Sequence, residues 1–360
     1  MINPEFWKGK RVFITGHTGF KGAWLCLWLK HLGAHVTGYA LAPPSEPSLF
    51  EIGRVSELID THHKGDVRDL EKLETALHAA NADIVIHMAA QTLVRHSYAH
   101  PVETFSTNVL GAVNVLDSVR RSDSVKAVVV VTSDKCYYNQ EWVWGYREDE
   151  RVGGDDPYSS SKGCAELVVH SYQQSFFSAD RHPEAAVIGS GRAGNVIGGG
   201  DWGVDRLVPD IMRSLLKGEP TIIRNPQATR PWQHVLEPLH GYLVLAERLF
   251  TEGHEYASGW NFGPAEDSER TVGEVVNTLY DHWKVDFKWE RDKNIGPPES
   301  TFLKLDASKA RAHLDWQPKL NLNTTLAWIV AWFRSYEAGH DMREVTLQEI
   351  ERFMAITPQG

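Results

Sequence analysis

Apolar runs of strand length alternate with helical patterns along the first half of the chain. The strands predicted from these runs span residues 11–15, 35–39, 83–87 and 127–132. Helical spacing of apolar positions predicts helices between them, at residues 20–32, 69–80 and 102–121. Because strands that alternate with helices pair in parallel, we predict an α/β fold with a doubly wound, Rossmann-type sheet.

The pattern changes after about Gly191. Three consecutive glycines at 198–200 interrupt it, and short strand-like segments at residues 221–223 and 259–262 alternate with helices and prolines. No clean linker separates two halves. We therefore predict a first domain over residues 1–191 and a smaller, interleaved α/β lobe over residues 192–360. The segment of about 221–260 is expected to return to the first domain.

Composition narrows the classes of partner. The 360 residues carry a net charge of −10, which makes nucleic acid a poor partner. No apolar run approaches the roughly 18–20 residues that cross a bilayer, and the first ten residues lack a signal-peptide core. Three scattered cysteines offer neither a disulfide framework nor a metal-binding pair. We expect a cytoplasmic protein without a membrane partner.

A glycine-rich turn follows the first predicted strand and opens the first helix. Its glycines are Gly16, Gly19 and Gly22, in the segment TGHTGFKG. Such a turn brings backbone N–H groups and a helix N-terminus to a diphosphate. Between a strand and an amphipathic helix it favours dinucleotide binding over a plain turn. The cofactor-binding residues predicted here are Gly16, Thr18, Gly19, Phe20, Lys21 and Gly22.

The end of the second strand lacks the acid that commonly binds the adenosine ribose. Residues 39–44 contain no acid. They also contain no arginine that would favour a 2′-phosphate, and the next arginine along the chain is Arg54. These absences favour NAD over NADP. Asp66 and Val67, which lie between the predicted strands at 35–39 and 83–87, are candidate adenine contacts. Asp66 is equally suited to cap a helix.

Tyr158 and Lys162 lie four residues apart at the start of a predicted helix over residues 158–174. This spacing places both on one helix face. A nearby ammonium is expected to lower the pKa of the phenol, so that Tyr158 accepts a proton from a sugar hydroxyl. Ser133, at the end of a strand, is the expected hydrogen-bond donor to the same substrate oxygen.

Together, TGxxGFxG, His87-Met-Ala-Ala90, Asn108, Ser133 and YxxxK resemble the extended short-chain dehydrogenases/reductases that act on nucleotide sugars, over essentially the whole chain. The resemblance implies that Lys162 binds the nicotinamide ribose, and that Ala89, Ala90, Gln91 and Asn108 line the nicotinamide side. Core packing of the alanines and backbone capping by Asn108 are the alternatives. It also implies a homodimer, or a dimer of dimers, through helices 102–121 and 158–174.

Asp134 and Lys135 follow Ser133, where the common sugar-nucleotide 4,6-dehydratases have an Asp–Glu pair. Asp–Lys resembles the dehydratases of CDP-glucose. Dehydratases of dTDP-, GDP- or UDP-hexoses and 4-epimerases remain alternatives, as does a solvated charge pair. Asp134 would protonate the C6 hydroxyl, although an adjacent ammonium opposes a raised pKa. Lys135 is either a base at C5 or a cation that stabilises the enolate, and we favour a direct part in C5 proton removal.

The resemblance also places the nucleotide-sugar site. It implies that the sugar-nucleotide lobe begins at residues 192–197, and that Asn195, Arg206, Leu207, Arg230 and Arg291 contact the substrate. Ordinary salt bridges are the alternative for both Arg230 and Arg291. His96 and His100 have helical spacing but no evident third ligand, so we predict no metal site.

Overall fold

A computed structural model describes residues 2–265, 268–292 and 302–357. Its main sheet has seven strands, all parallel, in the order β11-β6-β5-β4-β1-β2-β3. The strands are β1 Arg11–Thr15, β2 His35–Ala40, β3 Thr61–Lys64, β4 Ile84–His87, β5 Ala127–Val131, β6 Val187–Arg192, β7 Val196–Ile197, β8 Ile222–Ile223, β9 Thr229–Pro231, β10 Gln233–His234, β11 Gly259–Asn261, β12 Glu269–Thr271 and β13 Glu290–Arg291. The predicted fold class is confirmed.

Helices cover both faces of this sheet. Side chains alternate between the faces along each strand, so Val12 and Ile14 join one apolar core and Phe13 the other. The helices are α1 Pro4–Trp7, α2 Phe20–His31, α3 Leu49–Ile52, α4 Val55–Leu58, α5 Leu70–Ala80, α6 Val94–Ala99, α7 Pro101–Phe105, α8 Gly111–Arg120, α9 Pro157–Ser175, α10 Leu207–Lys217, α11 Leu236–Thr251, α12 Val272–Trp283, α13 Ser308–Leu314, α14 Leu322–Glu337 and α15 Met342–Ala355.

The helix predicted at residues 102–121 is interrupted. A π-helical segment, Ser106–Leu110, separates α7 from α8. Within it, Asn108 is buried and hydrogen-bonded to the backbone of Gln91 in both directions. The Asn108 side chain therefore holds the loop at Gln91. A side chain that bonds to another part of the chain can distort the helix that carries it, and the spacing of apolar residues does not reveal this.

The later strands divide between sheets. Gly259–Asn261 forms the edge strand β11 beside β6, and α11 packs against β5 and β6. By contrast, Ile222–Ile223 pairs with Glu290–Arg291 in a separate two-stranded sheet. Strand β11 thus lies in the main sheet and β8 outside it, while the return of segment 221–260 to the first domain stays a prediction. The domain boundary at 191/192 stays a prediction.

Across the described ranges, no helix combines the length and the apolarity needed to span a bilayer.

Candidate active site

A cavity of about 700 Å³ opens at the carboxyl ends of the central strands, where parallel sheets bind ligands. It collects most of the site residues predicted from the sequence. Those that line it are Gly16, Thr18, Gly19, Phe20, Lys21, Gly22, Asp66, Val67, Ala89, Ala90, Ser133, Asp134, Lys135, Tyr158, Lys162, Asn195, Arg206, Leu207 and Arg230.

The glycine turn has the geometry of a diphosphate cradle. Gly16 has a φ of +78°, and a Cβ there would lie 2.7 Å from the backbone nitrogen of Ala89. A Cβ at Gly22 would lie 2.3 Å from the carbonyl oxygen of Gly16. Gly19 caps α2 without a side chain, so the first N–H groups of the helix are left for a ligand. Gly16 and Gly22 are therefore sterically required where they stand.

His17 is a residue of this turn that sequence reasoning missed. Its buried ring covers Gly38 so closely that a Cβ there would lie 2.3 Å from the ring. The ring hydrogen-bonds His62 at 2.7 Å. Burial lowers the pKa of His17 to about 3, so the imidazole is neutral. The glycine at position 38 was the available signal, since close approach of another group is a common reason for glycine in a strand.

Asp66 lines the cavity but does not cap a helix. Asp69 is the N-cap of α5 and accepts a hydrogen bond from the backbone N–H of Lys72. The Asp66 carboxylate instead binds the guanidinium of Arg68, whose hydrogen bonds lower the pKa of Asp66. The capping alternative is therefore wrong.

Tyr158 enters the cavity from the first turn of α9, where Asp156 caps the helix by accepting from the N–H of Ser159. Burial raises the pKa of Tyr158 to about 12, against a lowering by its hydrogen bond with Ser133. The predicted direction of this shift is wrong for the protein without ligands, because desolvation of the phenolate outweighs the favourable contacts. Burial lowers the pKa of Lys162 to about 8.

Asp134 is buried, whereas Lys135 is half-buried at the same cavity. The buried carboxylate of Asp134 accepts a hydrogen bond from Ser133 Oγ at 2.8 Å and faces Asn195 Nδ2 at 3.4 Å. It fills the space beside Gly194, where a Cβ would lie 1.9 Å from its Oδ2. Within the described residues, Asp134 forms no ion pair with Lys135.

The family model for GDP-mannose 4,6 dehydratase matches residues 13–328 of this chain. The chain belongs to this family. A CDP-glucose 4,6-dehydratase of Salmonella typhimurium is 53% identical over 358 residues, which cover 99% of both chains.

Two solved structures share the fold at low sequence identity. A UDP-glucose 4-epimerase of Thermotoga maritima has a TM-score of 0.79 at 21% identity, covering 90% of this chain and 99% of that one. A dTDP-glucose 4,6-dehydratase of Bacillus anthracis in complex with NAD has a TM-score of 0.75 at 19% identity, covering 93% and 100%.

Behind the cavity lies a buried ion pair that sequence reasoning did not identify. Glu166, one helix turn beyond Lys162 on α9, binds Arg192 at 2.7 Å. Its carboxylate also accepts hydrogen bonds from Thr132 and Ser190. Arg192 was expected to begin the sugar-nucleotide lobe, but its side chain instead ties the ends of β5 and β6 to α9. The charge of Arg192 is therefore paired with Glu166 inside the protein.

Three predicted site residues do not line the cavity in the described part of the chain. Asn108 donates to Ser161 Oγ and to the carbonyl of Gln91, so its amide holds the loop behind the site. Gln91 donates to Thr104 and accepts from the N–H of Leu93. Arg291 is exposed on β13. The backbone role weighed for Asn108 is the one that the structure displays.

Arg206 joins two edges of the cavity. Its guanidinium binds Asp201 at 3.1 Å and Thr92 Oγ1 at 2.8 Å. Arg230, on β9, donates to the carbonyl of Thr229. Arg206 and Arg230 both line the cavity and both belong to the later half of the chain. That half was expected to bind the nucleotide sugar.

The prediction that His96 and His100 lack a third partner is wrong. The carboxylate of Glu103 lies with both imidazoles, and the three ligand atoms are within 4.8 Å of one another. Helical hydrogen bonds continue from His96 through His100 to Thr104, so Glu103 lies one further turn along the same face as the two histidines.

Proposed function

We propose that this chain is an NAD-dependent CDP-glucose 4,6-dehydratase. The observation that carries the proposal is the buried Asp134 carboxylate beside Ser133, in the same cavity as Lys135 and Tyr158. Oxidation of a sugar at C4 needs only a base of the Tyr158 type. The carboxyl group of Asp134 and the amine of Lys135 are the further groups that removal of water requires. The Salmonella typhimurium relative supports the choice of nucleotide.

The glycine turn fits the dinucleotide. The close contacts at Gly16 and Gly22 leave a cradle that a Cβ would fill, and the N-terminus of α2 is open to an anion. Lys21 and Lys162 add two buried ammonium groups at the cavity, and burial lowers the pKa of each to about 8. NAD held there would supply the hydride acceptor for C4 of the sugar and the hydride donor for C6.

The chain's own residues move the protons. Tyr158 removes the proton of the C4 hydroxyl, and Ser133 holds that oxygen and the phenol in one hydrogen-bond network. The resulting ketone acidifies the C5 proton, which Lys135 helps to remove. Asp134 protonates the departing C6 hydroxyl. The C5–H and C6–O bonds break and water leaves, which gives a 4-keto sugar with a C5=C6 double bond. A hydride returned to C6 and a proton returned to C5 saturate this bond, so the product is a 4-keto-6-deoxy sugar nucleotide.

The sugar-nucleotide preference is tested by offering CDP-, dTDP-, UDP- and GDP-glucose and GDP-mannose to the purified protein. We expect a 4-keto product from CDP-glucose at the highest kcat/KM. Equal or better turnover of another nucleotide hexose would assign the chain to a different dehydratase. A 4-epimer without loss of water would contradict the dehydratase proposal itself.

Isotope transfer tests the overall balance of the reaction. CDP-glucose deuterated at C4 should give a product with deuterium at C6, because the proposed reaction is redox-neutral. Mass spectrometry and NMR of the product locate the label, while absorbance at 340 nm follows reduced cofactor. Accumulation of NADH in step with product would contradict the proposal.

Lys135 has two candidate roles, and arginine separates them. A base must give up its proton at neutral pH, which arginine does not do, whereas a cation that stabilises the enolate can be replaced by arginine. We expect Lys135→Met and Lys135→Arg both to lose exchange of solvent deuterium at C5. Near-normal exchange in the arginine variant, with loss in the methionine variant, would assign the electrostatic role instead.

We propose that the protein is a homodimer through the face formed by α7, the π segment and α9. This face exposes large apolar side chains, namely Val102, Phe105, Leu110, Leu167 and Phe176 just beyond α9. Leu167→Glu should convert the dimer to a monomer, as measured by size-exclusion chromatography with light scattering. Val143→Glu, at an exposed apolar residue elsewhere, is the matched control. A Leu167→Glu protein that remains dimeric would exclude this face.

A further inference from the structure

Helices α6 and α7 meet at a single residue, His100, outside the cavity. Its backbone departs from helical geometry, with φ −131° and ψ 60°. Nevertheless, its N–H donates to the carbonyl of His96 at 2.8 Å, and its carbonyl accepts from the N–H of Thr104 at 3.1 Å. The chain therefore keeps one-turn spacing through the break, so His96, His100 and Glu103 stand on successive turns of one face.

The three side chains are already in contact. His96 Nε2 lies 3.0 Å from Glu103 Oε2, and the rings of His96 and His100 are 4.4 Å apart between centroids. The hydrogen bond with His96 lowers the pKa of Glu103, so the carboxylate is ionised at neutral pH. The side chains are about 36% exposed for His96 and 47% for Glu103. They can therefore adjust without disturbing the core.

We infer that His96, His100 and Glu103 bind one divalent transition-metal ion of the Zn²⁺, Co²⁺ or Ni²⁺ class. Two imidazoles and one carboxylate suit these ions, whereas Mg²⁺ and Ca²⁺ prefer all-oxygen ligands. Ligand atoms within 4.8 Å of one another need only side-chain rotations to surround an ion at about 2.0–2.2 Å. Water completes the coordination, because the cluster is open to solvent.

Neighbouring charge moderates the affinity. The guanidinium of Arg68 is close enough to Glu103 to contribute to the lowering of its pKa. Arg68 is itself bound by both carboxylate oxygens of Asp66, which offsets much of its charge. An exposed three-ligand site beside a partly neutralised cation should bind Zn²⁺ with a Kd of about 1–10 μM.

The ion would join α6 to α7 next to a hydrogen-bonded path to the cavity. Thr104 Oγ1 donates to the carbonyl of His100 and accepts from the amide of Gln91. Gln91 orders the loop that includes Leu93, which lines the cavity. Binding should therefore slow hydrogen exchange at residues 94–104. This site uses none of the groups assigned to the reaction, so its test is independent of the proposed function.

The experiment uses the full-length protein after treatment with a chelator. Calorimetric titration with ZnCl₂ should give one equivalent per chain, and CoCl₂ should produce visible absorption bands from protein-bound cobalt. Single variants His96→Gln, His100→Gln and Glu103→Gln should each weaken Zn²⁺ binding by at least about tenfold. His340→Gln, which removes an exposed histidine elsewhere, should leave it unchanged. Millimolar MgCl₂ should not compete.

Two results would overturn the inference. One is the absence of saturable Zn²⁺ binding below about 100 μM by the native protein. The other is binding that survives in the His96→Gln/His100→Gln protein at native affinity. Circular dichroism and the melting temperature of each variant establish that it is folded, so loss of binding reports the ligands rather than the fold.

Discussion

Tyr158→Phe is expected to abolish formation of the 4-ketone and, with it, elimination of water. The substitution removes only the phenolic oxygen that takes the C4 hydroxyl proton and leaves the ring that burial holds in place. Loss of a positioned acid–base group costs on the order of 10²–10⁴-fold in rate. Single-turnover absorbance at 340 nm measures the oxidation step directly, and product analysis measures the elimination.

Tyr172→Phe is the matched control, because Tyr172 is on the same helix and packs its ring against Phe176 away from the cavity. It should retain native rates. A Tyr158→Phe protein that oxidises CDP-glucose at more than about a tenth of the native rate would remove Tyr158 from the role of base.

Asp134→Asn should oxidise C4 at a near-native rate but lose water about 10²–10⁴ times more slowly. The amide is isosteric and keeps an oxygen that accepts the hydrogen bond from Ser133, yet it has no acidic proton for the C6 hydroxyl. The two steps separate in a single turnover, since reduced cofactor should appear at the native rate and then persist. Equal loss of oxidation in this variant and in Tyr158→Phe would show that Asp134 does not act at C6.

A substrate with a better leaving group distinguishes acid catalysis from positioning. Fluoride leaves with much less need of a proton than hydroxide, so CDP-6-deoxy-6-fluoroglucose should restore much of the elimination rate in Asp134→Asn. A merely structural defect would slow both substrates alike. Rescue confined to the fluoro substrate therefore identifies the carboxyl proton as the missing component.

The parallel α/β architecture was largely accessible from sequence because its central strands β1, β4 and β5 are largely buried. Segments such as 127–131 are continuously apolar, and that property is local. The glycine turn was accessible for a similar reason, since the close approaches at Gly16 and Gly22 tolerate no Cβ. Tyr158 and Lys162 followed from helical spacing together with the family resemblance.

Contacts between distant parts of the chain were not accessible. The π segment around Asn108 serves the Gln91 loop, seventeen residues earlier in the chain. The pairing of Glu166 with Arg192 joins two segments that no periodicity connects.

The sequence by itself determined the parallel α/β fold and the glycine turn, and it singled out the candidate reacting groups, because each is encoded in nearby residues. Only the tertiary structure decided their electrostatic state. Burial reversed the expected shift of the Tyr158 pKa, and the Asp134 carboxylate lies in the space beside Gly194, where it accepts a hydrogen bond from Ser133. Desolvation and side-chain direction depend on everything that packs around a group, and this is assembled only when distant segments meet.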